Sequence, residues 1–327
     1  MSHIKTFQVF PRIPKPLSFF IELSRNLWWS WQQDAIELFR RIDPNLWEAS
    51  NCNPLIFATS LSQDKLENLA LDESFLAHLE RVRENFEQQV KTPADLSDTP
   101  YRAHGNIAYF SMEFGIHESL PLFAGGLGVL AGDHLKAASG KAMPLTGVGL
   151  LYQHGYFQQF LDQNGWQQED YPQTDLYYLP ITRARDSDGR EIRITVAGLQ
   201  GDIHAIVWRM NIGRVPLYLL DTNLPENPPP VREITSQLYI ADKNTRLSQE
   251  ILLGIGGMKA LAAMGIMPSV CHMNEGHCAF CILERLAQIM ETFHIDLPEA
   301  REIAARTMIF TTHTPVAAGQ DDFPAEL

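Results

Sequence analysis

The sequence predicts a mixed α/β protein, with a helical module in front and an antiparallel β insertion in the middle. Three observations carry this expectation. Strand-like and helix-like stretches alternate between Ile107 and Thr312, a glycine-rich turn at Gly125–Gly128 falls between a strand and a helix, and residues 1–90 carry only helical periodicity. Strand, glycine turn, helix and strand make a βαβ unit, and that unit implies a parallel sheet.

The elements follow in order. Phe19, Phe20, Leu23, Leu27 and Trp31 recur at spacings of three and four, as on one helix face. Phe75, Leu76, Leu79, Val82 and Phe86 make a second such stripe. Lys91–Pro100 has two prolines and little apolar content, which reads as a linker. The expected division is therefore a helical module and linker over 1–100 and an α/β domain over 101–327. In that domain, Ile107–Phe114 and Pro144–Tyr152 read as strands, with a helix over Leu127–Ser139 between them. Ile181–Arg185 and Glu191–Val196 flank a turn at Asp188-Gly189, a hairpin signal. Ile203–Met210 and Val215–Leu220 flank Asn211-Ile212-Gly213, and the four stretches together make the insertion. Alternation then resumes: a helix over Leu247–Met264, a strand over Ser269–Met273, a helix over Cys278–Met290 and a strand over Thr307–Thr312.

Composition limits the function. The chain has 327 residues, 45% hydrophobic and 20% charged, as expected of a soluble globular protein with room for a large domain and an appended module. A net charge of −13 argues against nucleic-acid partners, which need a basic face. Neutral sugars suit such a surface, whereas a phosphate substrate needs a local positive site. The N-terminus lacks the apolar core of a signal peptide, and no run approaches the roughly 18 apolar residues of a membrane span. A soluble cytoplasmic protein is the expectation. Cys52, Cys271, Cys278 and Cys281 are too few and too clustered for a disulfide framework. Cys278 and Cys281 have the spacing of a zinc half-site. They lie in an apolar helical stretch without a second pair, which favours buried thiols over a metal.

Three segments could carry chemistry. In Ala124–His134, glycines let the backbone approach a ligand, and the following helix offers unpaired N–H groups and a positive dipole end. A tight turn without a ligand is the alternative, and the segment is neither a P-loop nor GxGxxG. His272-Met273-Asn274-Glu275-Gly276-His277 follows a strand, where open α/β sheets place ligands; Glu275 and His277 could bond sugar hydroxyls there, or only cap the next helix. His313, in Thr311-Thr312-His313-Thr314-Pro315, also follows a strand. Tyr152, Tyr156, Phe157 and Trp166 could stack on sugar rings, although packing is the commoner use of such residues, as it is for Trp28, Trp29 and Trp31.

Together the stretches YFSMEFGIHESLPLFAGGLGVLAGDHL, VGLLYQHGYFQQ, RLSQEILLGIGGMKAL, HMNEGHCAFCILERL and FTTHTPVAAGQDDFP resemble the glycogen, starch and maltodextrin phosphorylases, in that family's order. NLWWSWQQDAIELFRRIDPNLWE looks like the extra module of a prokaryotic branch. The resemblance implies a Rossmann-like N-terminal domain of a two-domain, GT-B type glycosyltransferase. It implies reversible phosphorolysis of α-1,4-glucan ends, with inorganic phosphate consumed and glucose 1-phosphate released, and a homodimer for the full-length protein. By the same resemblance, Gly126 and Leu127 lie at the substrate phosphate and glucose, with Gly125 beside them. His313 lies against the glucose, and Glu113, Glu275 and His277 line the glucosyl pocket. Many relatives have aspartate where Glu275 stands. The family's cofactor is pyridoxal phosphate, and none of this chain's lysines matches the motif that holds it, which is expected beyond residue 327. A synthase-like nucleotide-sugar transferase fits less well, because Phe123 stands where that loop has lysine. A non-catalytic glucan-binding or regulatory protein is the other alternative.

Overall fold

The computed structural model describes residues 10–93, 105–315 and 322–324. The chain divides into two compact units, residues 1–92 with 177–180 and residues 93–176 with 181–327.

The first unit is helical: α1 (Ser18–Ser24), α2 (Gln33–Ile42), α3 (Pro44–Ala49), α4 (Pro54–Ser60), α5 (Gln63–Leu69) and α6 (Glu73–Phe86). Local chemistry sets the starts. Side chains of Asp43, Asn53, Ser62 and Asp72 each accept a backbone N–H of the helix that follows, and α3 and α4 carry proline at their first position. The stripe from Phe19 to Trp31 is not one helix, as the spacing suggested. The α1 helix stops at Ser24, and Asn26 restarts the chain by accepting the Trp28 N–H at 3.0 Å, opening a 3-10 turn over Leu27–Trp31. Its first three residues, Leu27, Trp28 and Trp29, are buried, so this part of the aromatic run is core. The Phe39 ring sits at the centre of that core, stacked on Trp47 at 4.8 Å and flanked by Phe20 and Trp29, each at 5.4 Å. The linker expected over Lys91–Pro100 lies outside the described residues from 94 onward.

The second unit is built on an eight-stranded sheet. Its strands are β1 (Ile107–Phe110), β2 (Leu145–Leu150), β5 (Ile181–Arg183), β6 (Arg193–Gly198), β7 (Gly201–Ile212), β8 (Val215–Asp221), β9 (Val270–Asn274) and β10 (Met308–Thr311), and a separate exposed hairpin joins β3 (Gln158–Leu161) to β4 (Gln167–Asp170). The order is β10-β9-β1-β2-β8-β7-β5, with β6 also on β7. The pairs from β10 to β8 are all parallel. The chain moves outward from β1 through β2 to β8, then returns to β9 on the other side of β1. Connection order thus reverses between β1 and β9, and open α/β sheets leave a crevice at the strand ends where this happens.

The helices of this unit are α7 (Gly126–Gly140), α8 (Pro229–Arg232), α9 (Lys243–Ile251), α10 (Gly257–Ala263), α11 (Cys281–Phe293) and α12 (Leu297–Thr307). The expected βαβ unit is β1-α7-β2. Several boundaries differ from the sequence reading. The β1 strand ends at Phe110 and its last ladder bond runs from Ser111 N–H to Val148 O, because Phe114 N–H bonds Leu122 O at 2.8 Å and Tyr152 O–H bonds Met112 O at 2.7 Å, which draws 112–114 away. Val215–Leu220 is not confined to the insertion: as β8 it pairs antiparallel with β7 on one side and parallel with β2 on the other. The turn at Asp188-Gly189 closes as expected, with Asp186 N–H on Arg190 O and Ile192 N–H on Ala184 O, each at 2.9 Å, but the β5 and β6 strands themselves do not pair with each other. Apart from a bridge between Arg185 and Glu191, both pair with β7, Ile181 opposite Met210 and Arg193 opposite Ile206. Leu247–Met264 is α9 and α10 joined by a π-turn at Leu252–Gly256, and α11 begins three residues later than Cys278, after a 3-10 turn at Gly276–Cys278. No described helix is long and apolar enough to cross a membrane.

Phe39→Ala removes the ring at the centre of the helical core. It is expected to destabilise the first unit by about 3–5 kcal/mol, followed as loss of tryptophan fluorescence change in urea. A loss under about 1 kcal/mol would mean that the core does not turn on this ring.

Candidate functional site

Two carboxylates organise the C-terminal ends of β1, β9 and β10. Glu113 follows β1 and is 2% exposed. Its Oε2 accepts the Ala124 N–H at 2.7 Å and the Gly125 N–H at 3.2 Å, and its Oε1 accepts the Tyr239 O–H at 2.6 Å. Gly125, the N-cap of α7, has no side-chain cap, and Glu113 holds the main chain at and just before it. A Cβ at Gly128 would stand 2.5 Å from Phe123 Cβ and 2.6 Å from Glu113 Oε2, so only glycine fits behind the carboxylate. Farther along α7, Gly132 packs against the backbone of Gly115, whose N–H bonds Gly128 O at 2.7 Å. Helix and loop are thereby fixed to the segment that follows β1.

The outer side of the loop is open. A Cβ at Gly125 or Gly126 would meet nothing within 4 Å. The first N–H groups of a helix have no intrahelical partner, and those of Gly126, Leu127 and Gly128 make no hydrogen bond among the described residues.

Glu275 is the second organiser. Its carboxylate accepts the N–H of His313, the N–H of Thr314 at 3.0 Å and the hydroxyls of Thr312 and Thr314, each at 3.3 Å. Burial alone raises its pKa, but these donors outweigh it and hold the carboxyl below its ordinary value. The backbone at Glu275 has φ 69° and ψ 171°, a region essentially reserved for glycine. Such strain costs on the order of 1–3 kcal/mol and persists where the surroundings over-determine it. The four donors from the loop after β10 do so here.

A hydrogen-bonded chain joins the two halves. His313 Nε2 lies 3.0 Å from Asn274 Oδ1, Asn274 Nδ2 donates to Ser111 Oγ at 3.2 Å, and Ser111 Oγ donates to Glu113 O at 2.9 Å. His313 is itself exposed. His277 is buried with its ring 6.0 Å from that of Tyr239, edge-on, and the Arg246 guanidinium lies 4.9 Å from the other ring's centroid.

Six of the seven residues expected from sequence take part as follows. Gly125, Gly126 and Leu127 form the open loop, His313 faces out from the β10 loop, and Glu113 and Glu275 brace the two loops. The seventh, His277, is behind them. Both carboxylates spend most of their acceptor capacity on backbone and hydroxyl donors of the protein itself. Ser111, Asn274 and Tyr239 were not expected. Asn274 stands inside a quoted motif at the end of β9, so its position was the available signal. Tyr239 is far in sequence from Glu113, the carboxylate it bonds. Among the aromatic candidates, Tyr152 is buried as a backbone hydrogen-bond donor, while Tyr156 and Trp166 are exposed, Trp166 at 73%. Cys271, Cys278 and Cys281 are buried, and burial raises the Cys278 thiol well above its ordinary pKa.

Residues 13–120 match a family described as "Protein of unknown function (DUF3417)". Glycogen phosphorylase of Mycobacterium tuberculosis is 40% identical over 339 residues, covering 100% of this chain and 39% of the relative. Maltodextrin phosphorylase of Thermococcus litoralis is 41% identical over 318 residues, covering 97% of this chain and 38% of the relative. The chain is homologous over its whole length to glycogen and maltodextrin phosphorylases. Glycogen phosphorylase of Aquifex aeolicus is 37% identical over 308 residues, 93% of this chain and 43% of the relative. The chain thus spans about two fifths of the length of these relatives.

Gly128→Ala forces Phe123 or Glu113 to move and is expected to cost about 1–3 kcal/mol. Gly126→Ala meets open space and is expected to be neutral or slightly stabilising in a helix. Urea unfolding of the two variants checks the contrast, and equal effects would show that the carboxylate does not confine the loop.

Proposed function

We propose that this chain forms the glycine-loop side of the substrate site of an α-glucan phosphorylase, as the Rossmann-like N-terminal domain of a two-domain, GT-B type glycosyltransferase. The reaction is reversible phosphorolysis of α-1,4-glucan ends to glucose 1-phosphate. The observation that carries the reading is convergence: the open N–H groups of α7 and the exposed His313 are held at the ends of β1 and β10, on either side of β9, by a line of hydrogen bonds through Asn274, Ser111 and Glu113. Homology to phosphorylases over the whole length supports it.

In this reading Gly126 and Leu127 donate their N–H groups to oxygens of the substrate phosphate and glucose, and Gly125 lets the sugar approach. His313, oriented by Asn274, bonds the glucose. Glu113 and Glu275 fix these groups in advance, so that little reorganisation is needed on binding. His277 supports Tyr239 from behind.

Pyridoxal phosphate needs a lysine amine to hold its aldehyde, and no lysine stands among the described residues of the site. Lys91 pairs with Glu22, Lys136 with Asp133, and Lys243 and Lys259 donate to the carbonyls of Asp322 and Thr195. The residues described here do not fit the cofactor, and none of their roles is routed through it.

His313→Ala in the complete gene product is expected to lower phosphate-dependent release of glucose 1-phosphate from a maltodextrin by about a hundredfold, with little change in thermal stability. Activity within about twofold of the parent would remove His313 from the reaction. Absence of phosphorolysis in the parent itself would favour a glucan-binding role instead.

A further inference from the structure

The donors that this reading uses are held by a carboxylate, and that carboxylate is held in turn. Only one side chain, Tyr239, donates to Glu113 Oε1 in the described hydrogen bonds, at 2.6 Å. Tyr239 has φ 60°, in the left-handed region that a tyrosine rarely occupies. It lies between the 3-10 turn Glu233–Thr235 and α9, in a turn just after Gln237, which bridges to Gly155. Its side chain is held by three neighbours. The Arg246 guanidinium covers one face of the ring, the His277 ring meets it edge-on, and the phenol ends on Glu113. Arg246 is buried, with its Nε 3.6 Å from Glu250 Oε1 one turn along α9. A continuous line of contacts therefore runs from α9 through Arg246 and Tyr239 to Glu113, and from there to the amides of Ala124 and Gly125.

We propose that Tyr239 is a positioning residue for the glycine loop: its phenol pins the Glu113 carboxylate, which in turn fixes where Gly126 and Leu127 present their N–H groups. A carboxylate free to rotate would not hold both loop amides, because one oxygen serves them together while the other is tied to the phenol. Tyr239 touches no group that the proposed reaction uses directly. The inference rests on the glucan-phosphorylase reading for what the loop binds, but the pin itself is a property of this chain and is testable without activity.

The test is residue-resolved amide hydrogen exchange on the whole chain, for the parent, Tyr239→Phe, Glu113→Gln and the double variant. In Tyr239→Phe, exchange at Ala124 and Gly125 is expected to rise about tenfold while Ala108 and Tyr109 in β1 stay protected as before. In the Glu113→Gln background, the same tyrosine substitution is expected to change loop exchange by less than about twofold, since the carboxylate it acts through is gone. Unchanged exchange at Ala124 and Gly125 in Tyr239→Phe overturns the proposal. So does acceleration of β1 and the loop alike, which marks a general loss of stability, or an equal tenfold effect in both backgrounds. Addition of maltopentaose to the parent separates the two layers: unmoved Gly126 and Leu127 amide signals beside a tenfold exchange effect retain the pin and overturn the glucan reading.

Discussion

A carboxylate removed from water must be met by donors, and the need to satisfy Glu113 shapes the site. Burying an unpaired carboxylate costs far more than one lost hydrogen bond. Glu113 is 2% exposed, and its oxygens are met by two main-chain amides and one phenol. Each donor fixes something. The amides set the entry angle of α7, and the phenol ties that entry to the segment before α9. The space the carboxylate occupies demands glycine at 128, and the resulting close approach places Gly132 on the backbone of Gly115. The open outer face of the loop is the complement of this crowded inner face.

Glu275 repeats the device across β9 and β10. There a carboxylate gathers the backbone and hydroxyls of the loop that carries His313, and accepts a strained backbone to do so. Its folded pKa is lowered, so the sign is that of a stabilising acid. Its contribution is complete above the unfolded carboxyl value of about 4.3 and is lost as pH falls through the lower folded value. In the proposed reading the two acids are chiefly scaffolding, and the groups that face a ligand are main-chain N–H groups and one imidazole, a set that suits a substrate with many oxygens.

Much of this was legible in the sequence. The βαβ unit around Gly125–Gly128, the strands at Ile107, Pro144, Ser269 and Thr307, and the positions of Glu275 and His313 at strand ends follow from periodicity and motif order, whereas Glu113 reads as lying inside the first strand and is singled out only by the resemblance. What was not legible depends on contacts distant in sequence. The stripe from Phe19 to Trp31 looks continuous, yet Asn26 breaks it by capping, because periodicity does not register a single side chain that competes for the backbone. Val215–Leu220 reads as insertion because its antiparallel partner is adjacent in sequence, whereas its parallel partner β2 lies about 70 residues earlier, a pairing no local pattern encodes. Tyr239 carries no local signal at all. Its partners are Glu113, Arg246 and His277, and only the folded sheet brings the first of these to it. Conversely, the resemblance places both carboxylates toward the sugar, and a sequence does not show that the glycine loop and the loop after β10 also claim their lone pairs.

The most direct measurement of this account is a crystal structure of the Glu113→Ala chain. If the buried carboxylate holds the loop, Ala124 and Gly125 leave their positions and the first turn of α7 loosens, while β1, β9, β10 and the Glu275 bracket stay in place. A glycine loop unchanged in position and order in that variant would contradict the claim that Glu113 builds the site.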